Sequence, residues 1–150
     1  MESRFEFTDG NVRRLIKHMI KESFPTLDTL EFATLYDHKK RMSGGKLVLA
    51  RVKKANDELK VFTEDEDCPN GVHVVFFFDY ALFAYIDKKD KKRLIYHELC
   101  HVVPSEKDEN DYNVVPHDFE GFYSEIDYNK DDPEWKIRMA GILESHYEKE

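Results

Sequence analysis

Arg93-Leu94-Ile95-Tyr96-His97-Glu98-Leu99-Cys100-His101-Val102-Val103-Pro104 is the stretch on which the fold turns. Leu94, Ile95, Leu99, Val102 and Val103 supply an apolar flank, and the spacing predicts a helix from Asp87 or Asp90 to about Val103. Pro104 should stop it, because proline lacks the N–H the next turn needs and clashes with the turn before. Residues four apart on a helix stand one above the other. His97 and His101 therefore share a face, with Glu98 beside them.

That arrangement suits one kind of chemistry. Two imidazoles on one face can bind a single cation, and zinc accepts nitrogen ligands in a tetrahedral set. A carboxylate directly after the first histidine can take a proton from a water and pass it to a leaving amine. A catalytic zinc site has three protein ligands and keeps one position open, so a third ligand must come from elsewhere. His117 is the first choice, since it follows a polar loop at the mouth of a new helix. Glu120, one turn further on the same face, is its rival, and Glu125 is a more distant one. Asp118 could accept a ring proton from a ligand histidine or cap the helix that begins there. Cys100 points about a quarter-turn from His101 and reads as a small buried residue. His18, His38, His73 and His146 have no ligand-spaced partner and read as structural or surface groups. Tyr96, Tyr112 and Tyr123 read as packing residues, as does Trp135.

Outward from this helix the chain alternates between periods. Val12, Leu15, Ile16, Met19 and Ile20 predict a first helix over 9–24, capped by Asp9 and ended before Pro25. Residues 29–37 and 46–52 read as strands, and Ser43-Gly44-Gly45 between them suggests a hairpin-like connection. Val72-His73-Val74-Val75-Phe76-Phe77-Phe78 is apolar on both faces and belongs well inside a sheet. Residues 79–86 suggest a helical turn and 104–116 a polar loop. Helices are expected from His117 to about Tyr128 and from Pro133 to about Tyr147. No repeat or linker interrupts 1–150, so one domain is expected. Helix, three strands, then three helices make the fold class α+β, a small sheet packed on the histidine-bearing helix.

Bulk properties narrow the partners. The 150 residues are 41% hydrophobic and 36% charged, enough for a core beneath a charged surface. The net charge of -8 argues against nucleic acid as the main partner, since an acidic surface repels phosphate backbones. The basic runs Lys39-Lys40-Arg41 and Lys88-Lys89-Asp90-Lys91-Lys92-Arg93 read as solvated surface. Two cysteines, Cys68 and Cys100, are too few for a disulfide scaffold and fit a reducing compartment. The first residues show no apolar signal core, and no apolar run reaches membrane-span length. A cytoplasmic location is the expectation.

With these residues in view, the chain resembles the phage metallopeptidase family, relatives of the SprT-like zincins. The resemblance rests on Gly45-Lys46-Leu47-Val48-Leu49-Ala50-Arg51, the apolar strand 72–78, the block Arg93–His101, and His117-Asp118-Phe119-Glu120-Gly121-Phe122. It implies a zincin fold, one zinc ion held by His97, His101 and His117, Glu98 as general acid/base, and peptide-bond hydrolysis. It favours His117 over Glu120, and a phage or prophage origin, hence the host bacterial cytoplasm. SprT-like relatives are linked to proteolysis of DNA-bound proteins, a role that the acidic balance here does not support. Two other functions fit the same helix. One is a binding protein that keeps the scaffold but not the chemistry. The other is a regulatory protease like the ImmA/IrrE group, which a glutamate third ligand would favour.

Overall fold

The strand Val74–Asp79 explains the layering. Val74, Phe76 and Phe78 point to one face, where they join Ile16, Met19, Leu82, Leu94, Ile95, Leu99, Met139 and Leu143 in the main core. Val75 and Phe77 point the other way and pack with Ala33, Leu35, Ala55, Cys68 and Val72 in a smaller cluster. A strand buried on both faces reads as a continuous apolar run rather than an alternating one.

A computed structural model describes residues 3–116 and 122–149. In chain order the elements are β1 (Phe5–Phe7), α1 (Gly10–Ser23), β2 (Phe32–Asp37), β3 (Met42–Ser43), β4 (Lys46–Leu47), β5 (Ala50–Lys54), α2 (Asp57–Phe62), β6 (Val74–Asp79), α3 (Tyr80–Tyr85), α4 (Lys88–Cys100), β7 (Val102–Pro104), β8 (Tyr112–Val114), α5 (Tyr123–Tyr128) and α6 (Trp135–Glu148). The fold is α+β, with its main sheet in the order β1-β2-β6-β5. β6 runs parallel to β2 and antiparallel to β5, which leaves β5 at the edge. Among the described residues no helix is long and apolar enough to cross a membrane.

Asp9 caps α1 by accepting from the backbone N–H groups of Asn11 and Val12. Asp79 caps α3 and Asp87 caps α4 in the same way, through Leu82 and Asp90. Each aspartate satisfies an N–H that the first helical turn leaves open.

Three expectations need correction. The strands 29–37 and 46–52 do not form a hairpin. β6 lies between them, because its two-sided apolar surface claims the centre, and the hairpin at Gly44-Gly45 is the small β3–β4 pair instead. Gly44 and Gly45 have φ of 58° and 79°, the left-handed region that glycine adopts without strain. Second, α4 ends at Cys100, not Val103; Val102–Pro104 is β7, paired with β8 inside the expected polar loop. Third, β1 and α2 have weak sequence signals and were not expected. β1 is three residues long, and none of α2 is buried.

Candidate metal centre

The helix that carries the motif is held from several sides. Leu94, Ile95 and Leu99 are each at most 3% exposed and fasten α4 to the core. At its start Asp90 accepts from both Arg138 Nη atoms of α6, each at 2.7 Å, and from Arg93 Nε at 3.3 Å. Arg93 reaches on to Asp131 and Asn129. This charged knot ties α4 to α6 and to the turn before it.

At the other end the three groups of the motif converge. The ligand atoms of His97, Glu98 and His101 all lie within 4.8 Å of one another. The two rings stand 5.3 Å apart, nearly perpendicular. Each ring is oriented through Nδ1. His97 Nδ1–H donates to Glu125, at 2.9 Å to Oε1 and 3.1 Å to Oε2. His101 Nδ1–H donates to the Val115 carbonyl at 2.6 Å, while the Val115 N–H donates back to the His101 carbonyl at 2.7 Å. An acceptor at Nδ1 fixes the tautomer whose Nε2 carries the lone pair, the form that binds metals.

Charge supports the same reading. Burial lowers the His101 pKa, partly opposed by the Val115 carbonyl, so the ring is held neutral. Burial drives the Glu125 carboxyl upward, but the His97 hydrogen bond and charge, with Lys136, outweigh it and bring it below its ordinary value. Glu98 is the outlier. It is 4% exposed, and burial pushes its pKa up to about 8, against the pull of Lys136 and with Glu125 adding to the rise. Its Oε2 has no hydrogen-bond partner among the described residues. A buried carboxylate oxygen without a partner is costly. A divalent cation nearby would offset that cost, and imidazole nitrogens with a carboxylate close by are a setting that borderline cations accept. The residues present fit a metal ion.

Two cavities meet at this point. One of about 870 Å³ lies between 45–50 and α6, with Leu94, His97 and Glu98 on its floor. One of about 400 Å³ lies on the other side, against Val114, Val115 and Pro116. They share Ala50, His97 and Glu98. Glu98 is thus buried within the protein yet borders two openings.

The sequence reading of His97, Glu98 and His101 as one cluster agrees with this geometry. His117, its rival Glu120, and Asp118 lie outside the described residues. Glu125, weighed as a third ligand, bonds instead to His97 and to the Phe122 N–H at 2.7 Å, where it stabilises the start of α5. That positioning role was missed; the signal was an acidic residue in the first turn of a helix following the motif. Cys100 is half-buried rather than buried, with Sγ 3.4 Å from Ser124 Oγ. Tyr96 stacks on Tyr128, Tyr112 bonds to Thr29, and His73 accepts from the Glu31 N–H, all structural uses as expected. Trp135 is buried in the core.

Fold and site together define an α+β protein in which a sheet-backed helix gathers two histidines and a glutamate that could hold a cation, beside a cleft. The chain belongs to the family described as "Putative phage metallopeptidase", which matches it over residues 4–144. That description brings with it a metal ion and a protein or peptide substrate. No curated protein and no solved structure gives a significant match.

Proposed function

We propose that the chain is a zinc-dependent peptidase of zincin-like fold, working as one domain over 1–150, in which His97, His101 and His117 hold the metal and Glu98 is the general acid/base. One observation carries this reading: two imidazoles with Nδ1 already committed to Glu125 and Val115 stand beside a buried carboxylate oxygen without a partner. The donor types support zinc. His117 is taken as third ligand because imidazole suits zinc, and the described residues that flank 117–121 lie beside the two rings. Val115 is bonded to His101, and the Phe122 ring lies 4.8 Å from the His101 ring and 5.4 Å from the His97 ring. The family's phage character supports action in the cytoplasm of an infected bacterium.

When bound, zinc would supply Lewis acidity, acidifying a water and polarising the carbonyl to be attacked. Glu98 takes the proton from the attacking water and delivers it to the leaving amine. Its place beside both rings, at the border of both cavities, suits one group serving as base and then as acid. Glu125 and Val115 hold the two rings so that no reorientation accompanies the chemistry. β5 is the last strand of the main sheet among the described residues, and its Ala50 borders both cavities beside Glu98. An extended peptide can add to such an edge by backbone hydrogen bonds and lie across Glu98.

The test compares wild type with Glu98→Gln. The variant should bind zinc at wild-type stoichiometry and lose at least ~10²-fold in peptide cleavage, as removal of a general base does. His117→Ala should lower zinc affinity while Glu120→Ala leaves it near wild type. Full cleavage by Glu98→Gln, or zinc loss in Glu120→Ala alone, would overturn the assignment.

A further inference from the structure

The larger cavity is more than an entrance to Glu98. Its outer wall is one face of α6, where Ile137, Ala140, Gly141 and Glu144 recur at helical spacing. Ile137 is 71% exposed, an apolar side chain facing water. Gly141 is the telling position. It sits mid-helix, where glycine weakens the helix relative to alanine. Its backbone is not in the left-handed region, and a Cβ built there would meet nothing within 4 Å. No feature of the fold requires glycine here. The facing wall is half-buried Leu47, Val48 and Leu49, and Trp135 closes the inner end. Glu98, whose buried Oε2 has no partner among the described residues, is part of the lining of this cavity.

We propose that Gly141, with Ala140 and Trp135, shapes a specificity subsite that takes a large apolar side chain of the substrate, on one of the two residues flanking the bond to be cut. The inference rests on the peptidase reading and deepens it. A peptide lying along the β5 edge with its scissile bond at Glu98 has one neighbour over each cavity, because the two meet at Ala50, His97 and Glu98. The larger cavity is lined mainly by apolar residues, with Lys46, Lys136 and Glu144 among them, and is within the size range of small-ligand pockets. A leucine or phenylalanine side chain finds apolar contact there along Leu47, Val48, Leu49 and Ile137, and an aspartate gives up hydration against the same residues. The missing Cβ at residue 141 adds room on the α6 side of that space.

The experiment has a cutting arm and a binding arm. Blocked pentapeptides carrying Gly, Ala, Leu, Phe or Asp at either residue flanking the bond are given to zinc-loaded wild type, Gly141→Leu and Ala140→Leu. Wild type should prefer Phe and Leu over Asp at one flank only. Narrowing the wall should cut the Phe-to-Ala ratio of kcat/KM at that flank by at least about tenfold, the scale on which a pocket discriminates a methylene or more. In the binding arm the same peptides are titrated into zinc-loaded Glu98→Gln, up to about 1 mM, the upper end of ordinary KM values. Trp135 is the only tryptophan of the chain, so its emission reports on the cavity. Phe and Leu peptides should shift it saturably and Asp peptides should not, and adding Gly141→Leu should weaken the shift. A selective shift without cutting anywhere refutes the peptidase reading and keeps the subsite. Cutting without flank preference, an equal fall for all peptides in both narrowed variants, or no selective shift refutes the subsite and leaves the peptidase reading standing.

Discussion

Glu125→Gln separates charge from shape at the metal centre. Glu125 Oε1 receives two donors, the Phe122 N–H at 2.7 Å and His97 Nδ1–H at 2.9 Å. In a glutamine the amide oxygen should occupy that position, since both donors demand an acceptor. The NH2 group then replaces Oε2, 3.1 Å from Nδ1, where it adds no acceptor. The ring stays in place and in the same tautomer, but the negative charge behind it is gone. The His97 and Glu125 side chains are only 9% and 6% exposed, so solvent does little to screen the loss. Removing a partner that orients a ligand histidine typically costs 10–100-fold in metal affinity, about 1.4–2.8 kcal/mol, and burial argues for the upper half. Without metal, exchanging a charged for a neutral hydrogen bond should cost about 1 kcal/mol, or a Tm roughly 2–4 °C lower for a chain of this size. The assay is competition for zinc against a chromophoric chelator, with thermal melts of metal-free protein alongside. Zinc affinity within about twofold of wild type, far below the 10-fold minimum, would show that the Glu125 charge does not support His97 as a ligand.

Other elements make separate predictions. Asp90→Asn should destabilise by about 2 kcal/mol, below the 3–5 kcal/mol of a broken buried pair, because Arg138 keeps Asp132 and Arg93 keeps Asp131; thermal melts at neutral pH check this. The Asp90 carboxyl is held below its ordinary value, chiefly by the Arg138 hydrogen bonds. Its contribution is thus present above the unfolded pKa of about 3.9 and lost as pH falls through the lower folded value. Melts from pH 6 down to ~2.5 should show a shallower acid limb in Asp90→Asn than in wild type. Gly141→Ala should stabilise the fold by roughly 0.4–1 kcal/mol, since ordinary helical backbone and open space leave alanine no cost; a lower Tm would show that residue 141 is constrained by something other than the cleft.

What could be read from the sequence follows from how local each cause is. The α4 pattern and its two histidines were legible because i, i+4 geometry is a property of a single helix. The Asp9 cap was legible because a cap bonds within its own first turn, while the start of α4 stayed open between Asp87 and Asp90 until the structure showed Asp87 as the cap. The sheet order was not: β6 lies between two strands that precede it in sequence, and only its two-sided burial hinted at a central place. The end of α4 was misjudged because Val102 and Val103 fit a helix flank and a strand equally well. Their pairing with Asn113 and Val114 is a non-local fact that settles the choice. It also matters for the site. β7 and β8 bring Val115 back to His101, so an early helix end, rather than three more helical residues, allows a backbone carbonyl to orient the second imidazole. Likewise Glu125 and Gly141 are unremarkable in one dimension, an acid in a helix's first turn and a glycine within a helix. Each gains its meaning from a partner, His97 in one case and the open cleft in the other, that only the folded chain supplies. The pairing of His97 with His101 can be recognised from a few residues, but what orients the two rings lies in elements remote in sequence.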